Sequence, residues 1–158
     1  MLVSDLEVNS FEQACELLRW YSFRWLIERY HYTLKSGCHI EDLQLETADR
    51  IRRSVATYAI VAWRLLWLTY EARVNPEQSC ELVFESFEWQ SLFCSIHNNK
   101  KRLPKKPPTL QQVIRWIAQL GGFLGRRHDG QPGVKVLWRG LTRLHDIAHS
   151  WHLAQAQA

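Results

Sequence analysis

The sequence predicts a chain that is all-α as it stands, and three observations carry that expectation. Apolar residues recur at three-to-four spacing through long segments. Ser10 and Thr109 each stand three positions before a glutamine, which is the pattern of a helix capping box. Apart from Leu2-Val3, which reads as the tail of a strand, no stretch has the composition of a strand. With 158 residues, 46% of them hydrophobic and eight Trp, the chain has enough apolar surface for a core and is not a disordered tract.

The first helix is expected to begin at Ser10 and run to Ser36, with Gly37 as its left-handed terminal residue. Cys38 to Glu46 shows no clear period. A second helix is predicted from Thr47 to about Arg73. Its Ile51, Val55, Tyr58, Ala62, Leu65 and Thr69 mark one buried face, and Asn75-Pro76 stops it. A shorter helix follows Ser86 and ends near Asn98-Asn99. Residues 98–108, NNKKRLPKKPP, read as a basic, proline-rich linker. Thr109 and Gln112 then cap a helix that Gly121-Gly122 ends, and Gly125 belongs to the turn that follows. A last helix starts near Gly133, with Val134, Leu137, Trp138, Leu141, Leu144, Ala148 and Trp151 on one stripe. The expected organisation is therefore 1–97, a linker at 98–108, and 109–158.

The net charge of +4 is unevenly spread. Residues 1–97 carry nine Lys/Arg against fourteen Asp/Glu, whereas 98–158 carry eleven cations against Asp129 and Asp146 alone. Such a split fits either a basic solvated surface or contact with a polyanion. Cys15, Cys38, Cys80 and Cys94 form no CxxC pair, so reduced thiols in a cytoplasmic protein are expected. The N-terminus is acidic, unlike a signal peptide. The longest apolar stretch, Val55 to Tyr70, contains Arg64 and falls short of the ~20 residues a membrane span needs.

The chemistry-bearing stretch is YSFRWLIERYHYTLKSG, residues 21–37. On a regular helix Tyr21, Arg24, Glu28 and Lys35 share an arc of roughly 60° along about 21 Å, with Tyr32 close by. One carboxylate between two cations and an aromatic allows two readings. Glu28 pairs with Arg24 or Tyr32 on a solvated face, or it holds a divalent metal while Tyr21, Arg24 and Lys35 grip phosphates.

The spacing Tyr21-x2-Arg24-x3-Glu28-x6-Lys35 resembles the YREK signature of the IS-four family of bacterial DDE transposases. The surrounding WLIERYHYTLKSG is similar to the Tn-five type. So are EDLQLETADR, AIVAWRLLWL and the distant LGGFLGRRHDG…LWRGLTRL, in the same order. The resemblance implies that residues 1–97 are the C-terminal helices of an RNase H-like catalytic domain. It implies that Glu28 is the catalytic glutamate that joins two aspartates in holding Mg²⁺ or Mn²⁺, and that Tyr21, Arg24 and Lys35 contact phosphates of the transposon end. It implies phosphodiester hydrolysis followed by attack of the freed 3′-hydroxyl on target DNA. From about residue 104 it implies a dimerisation domain, for which Trp138, Leu141, Leu144 and Trp151 are the expected homodimer contacts. An apolar stripe of that kind can equally close an internal bundle.

The sequence departs from the family in that no strand bearing the two aspartates precedes Glu28 in these 158 residues. Nor is the N-terminal DNA-binding domain present. Asp5, Asp42 and Asp49 are poor substitutes, so the chain is expected to be inactive alone. Two other readings stay open, a basic helical DNA-binding regulator and a protein-interaction module without catalysis. Strongly salt-dependent DNA affinity marks the first, and dimers without DNA binding mark the second. His145, Asp146, His149 and His152 loosely echo a zinc-protease helix but lack its glutamate and read as surface residues. Trp20, Trp25, Trp63 and Trp67 read as core.

Overall fold

Capping side chains start four of the long helices close to where the sequence places them. The computed structural model describes residues 5–98 and 102–156. Leu2-Val3 and Asn99–Lys101 of the linker lie outside these. The described residues form helices and turns with no strand, only an isolated bridge between Ser79 and Thr109. Helix α1 spans Phe11–Ser22, and the Ser10 hydroxyl accepts the Gln13 N–H. The Gln13 side chain accepts the N–H of Asn9, one residue before the cap, at 2.7 Å. Helix α3, Ala48–Val74, is capped by Thr47 and ends at Asn75. Helix α4, Ser86–Ile96, has a capping box made by Glu85 and Glu88. Helix α5, Leu110–Leu120, has the expected box of Thr109 and Gln112, and Gly122 follows it at φ 96°. Helix α6 spans Val134–Ala156.

The expected single helix from Ser10 to Ser36 is corrected. It breaks at Phe23, and α2 covers Arg24–Tyr32. The chain then widens into a π turn at Thr33–Gly37. Gly37 is not the left-handed residue; His39 is, at φ 56°. Gly37 is buried, and a Cβ there would meet Val134 Cγ2 at 3.4 Å. Its small size brings the π turn close against α6.

The core sits among α3, α4, α5 and α6. Ala62, Leu65, Leu68, Leu92, Ile117 and Leu137 are fully buried at its centre. Side chains from both sides of the linker belong to one cluster. Backbone bonds clasp the linker's end to the loop after α3. Cys80 N–H donates to Pro108 O at 3.1 Å, Leu110 N–H to Gln78 O at 2.7 Å, and Gln111 N–H to Pro76 O at 3.2 Å. Helices α5 and α6 touch backbone to backbone at Gly121 and Gly140.

Three expectations about burial are overturned. Ile51 and Val55 are 47% and 44% exposed, because the first half of α3 extends past the helices that cover Ala62, Leu65 and Thr69. Trp20, Trp25, Trp63 and Trp67 are all exposed, since α1 and α2 bury no side chain and the two α3 indoles point away from the core. Leu144, expected at a dimer contact, is 2% exposed and belongs to the internal core, as do Val134, Leu137 and Ala148. Trp138, Leu141 and Trp151 on the same helix are only partly buried. Among the described residues no helix is long and apolar enough to cross a membrane.

Candidate functional site

The residues of the 21–37 stripe come from three local structures. Tyr21 closes the last turn of α1, Arg24 opens α2, and Glu28 follows one turn later. The Arg24 guanidinium lies over the Tyr21 ring, 5.1 Å from its centroid, and donates through Nη1 to Glu28 Oε1. Of the two partners the sequence offered Glu28, the structure uses Arg24. Lys35 does not continue this line. It lies in the π turn, where the helical register has changed, and its Nζ pairs with Glu41 Oε1 at 2.7 Å.

The stripe is open to solvent. The side chains of Arg24 and Glu28 are 57% and 53% exposed, and those of Lys35 and Glu41 are 56% and 63% exposed. Exposed ion pairs of this kind are worth only about 0.2–1 kcal/mol. Both cations and the carboxylate can therefore exchange partners at small cost. Arg29, on the neighbouring face, lies over Trp25 at 5.3 Å.

What holds the stripe in place is its far side. Tyr30 Oη donates to the Ala59 carbonyl of α3 at 3.1 Å. Thr33 is fully buried and returns its hydroxyl to Arg29 O at 2.9 Å. Leu34 packs against the core and Cys38 is part of it. Helix α2 is thus docked on α3, and its C-terminal turn on α6.

A carboxylate such as Glu28 is a hard oxygen donor that suits Mg²⁺ or Mn²⁺. Among the described residues, no three His, Cys, Asp or Glu side chains gather closely enough to hold a metal ion. The donors present near Glu28 therefore do not make a metal site by themselves. The histidines of α6 form no such group either.

A second feature escaped the sequence reading. A cavity of about 330 Å³ lies between α3, the start of α4 and α6, and Trp138 and Leu141 line it. On the outer face of α3, Trp63 and Trp67 stack with centroids 6.2 Å apart and planes 10° apart. Their spacing of four, on the side of the helix opposite Ala62 and Leu65, is the signal that could have marked them as surface. Residues 60–156 match the family model described as the Transposase Tn5 dimerisation domain. The matched segment takes in the second half of α3 and all of α4, α5 and α6, the helices that build the core.

Proposed function

The chain belongs to the Tn5 transposase dimerisation family, and from that premise we propose that it is the C-terminal portion of a bacterial DDE-type cut-and-paste transposase. It joins two transposase copies and contributes Glu28 as the third carboxylate of the metal site. The observation that carries this is one of order and attachment. The Tyr21, Arg24, Glu28 stripe precedes the matched segment in the chain; Tyr30 of α2 bonds to Ala59 on α3, the helix that runs into that segment, and Gly37 of the following π turn packs on Val134 within it.

In this reading the exposed apolar faces of α1 and α2, with Phe11, Leu18, Trp20 and Trp25 uncovered, are the faces that the sheet of an RNase H-like domain covers. Arg24 and Lys35 are cations that give up their weak pairings to bind phosphates of the transposon end. Tyr21 orients Arg24. Glu28, once freed from Arg24, supplies one ligand, and two aspartates from the rest of the catalytic domain supply the others. Bound Mg²⁺ or Mn²⁺ supplies activation of the nucleophile and stabilisation of the leaving oxygen. The dimerisation bundle holds two such catalytic units together, one for each transposon end. The 158 residues by themselves neither cut nor join DNA.

Sedimentation and a cleavage assay on the chain test this together. The expected result is a dimer at micromolar concentration and no nicking of transposon-end DNA with Mg²⁺ or Mn²⁺. Metal-dependent nicking that disappears in Glu28→Ala overturns the incomplete site. A chain that stays monomeric at high micromolar concentration overturns the dimerisation role.

A further inference from the structure

Arg29 is a cation of α2 without a carboxylate. It takes part in none of the six ion pairs among the described residues. A side chain on a helix meets the residues three and four positions away. For Arg29 these are Trp25, Leu26, Tyr32 and Thr33, and none is acidic. Glu28, its neighbour in the chain, is taken by Arg24. The residue is nevertheless held still. Its guanidinium lies over the Trp25 ring, 5.3 Å from the centroid. Its backbone carbonyl accepts the hydroxyl of the fully buried Thr33 at 2.9 Å. An arginine in water solvates all five of its N–H donors. Here Nε is buried and donates to nothing, while the outer nitrogens, Nη1 and Nη2, stay within reach of solvent. A positive charge that is partly withdrawn from water and left unneutralised attracts an anion more strongly than a hydrated one does.

We propose that Arg29 is a further phosphate-binding residue, whose Nη1 and Nη2 take the two free oxygens of a DNA phosphodiester distinct from the one that Arg24 takes. The inference rests on the reading above, in which α2 meets transposon-end DNA, and adds a contact outside the Tyr21, Arg24 and Lys35 set. With Nε buried, the edge left for a ligand is the end-on fork of two parallel donors, which suits an anion with two free oxygens. The helix puts that fork in a useful place. At ~100° per residue, Glu28 stands about 40° round α2 from Arg24, Trp25 about 100° and Arg29 about 140°. Tyr30, on the side docked against Ala59, stands at about 240° by the same geometry. Arg24 and Arg29 therefore bracket the open arc, with Glu28 between them. Two phosphate grips on either side of the carboxylate fix a strand across it, where a single grip leaves the strand free to pivot. Trp25, 50% exposed, is the platform that keeps the second grip flat.

Binding of transposon-end duplexes to a transposase that carries the complete catalytic domain tests the assignment, with metal removed so that no cleavage intervenes. Arg29→Ala is expected to weaken binding about tenfold and to lower the salt-dependence slope by about one. Arg29→Lys keeps the charge and loses the fork, so it should hold the slope and lose part of the affinity. A second measurement separates contact from structure. Duplexes that carry one neutral methylphosphonate are bound in turn, each with a different backbone position replaced. At one position the wild type is expected to lose about tenfold and Arg29→Ala to lose nothing more, because the two changes remove the same contact. That position should differ from the one at which Arg24→Ala becomes insensitive. A side chain with a merely structural role weakens binding at every position alike. An Arg29→Ala protein with the wild-type slope and the wild-type methylphosphonate profile overturns the proposal. So does one that loses thermal stability with that profile unchanged, which assigns the fork to a carboxylate of the rest of the protein. If Arg24→Ala and Lys35→Ala change the slope and Arg29→Ala does not, only this inference falls. If none of the three changes it, the phosphate-binding reading of the stripe falls with it.

Discussion

Gly140→Ala is expected to destabilise the fold, against the ordinary rule for a glycine inside a helix. Within α6 the exchange should gain about 1 kcal/mol, because alanine is the better helix former. The packing opposes it. A Cβ at Gly140 would sit 1.8 Å from the Ile117 carbonyl oxygen and 2.7 Å from its carbon. Real Cβ contacts stay beyond 3.0 Å, so α5 and α6 have to part by more than 1 Å. The obstacle is backbone and cannot rotate away. A gap of 0.5–1 Å already forfeits a quarter to a half of each dispersion contact. The contacts at stake include Val113, Ile114, Ile117, Leu137 and Leu144, all buried. Overpacking of this kind costs about 1–3 kcal/mol and occasionally more, and the loss of neighbouring contacts adds to it. The net expectation is a loss of about 2 kcal/mol, which lowers Tm by roughly 4–8 °C in a chain of this length. Gly121→Ala, whose Cβ would meet Val136 O at 1.8 Å, should behave alike. Thermal and urea unfolding followed by circular dichroism measure both. A Gly140→Ala chain as stable as wild type, or more so, refutes the close approach of α5 and α6.

Three further outcomes are expected. Leu144→Glu places a charge in the internal core, so circular dichroism should show unfolding and not a folded monomer. In a transposase that carries the complete catalytic domain, Arg24→Ala or Lys35→Ala should weaken transposon-end binding and lower the salt-dependence slope by about one, and unchanged slopes in both would return the stripe to a solvated face. Burial pushes the Cys38 and Cys80 thiols up to about 11 from 9.0, with Glu81 adding to the effect at Cys80. The folded chain therefore keeps protons that the unfolded chain releases from about pH 9 upward. Stability is full below that pH and declines as pH rises toward 11, so the urea midpoint in reducing buffer should fall between pH 8 and pH 10.5.

The helix starts were legible because each is written in a few adjacent residues. Ser10, Thr47 and the Thr109–Gln112 pair place their caps whatever the rest of the chain does. The break at Phe23 and the π turn were not legible. The segment from Tyr21 to Ser36 contains no glycine or proline, and the turn's interrupted register answers to distant partners. Those are Ala59 for Tyr30 and Val134 for Gly37. The same limit applies to the site. The residue types and spacing of Tyr21, Arg24 and Glu28 are visible in the sequence, but the Lys35–Glu41 pairing depends on how the turn is wound. The α6 stripe shows a further limit of periodicity. It reports that a face is apolar, and Leu144 and Trp138 look alike until the packing of the neighbouring helices decides which is enclosed.

The backbone clasp between residues 76–80 and 108–111 has a consequence for how the chain tolerates change in length. It closes a loop that contains α4 and the basic stretch, and its ends are held by main-chain bonds that do not depend on what lies between. The entropy of closing a loop grows only as the logarithm of its length, so even a doubling of that loop costs about 0.6 kcal/mol. Insertions among its lysines and prolines should thus leave the helices undisturbed. One residue inserted between Pro108 and Leu110 is a different matter. It sets the Leu110–Gln78 and Gln111–Pro76 bonds out of register with the Cys80–Pro108 bond, and placed after Thr109 it also pulls that residue away from the helix it caps.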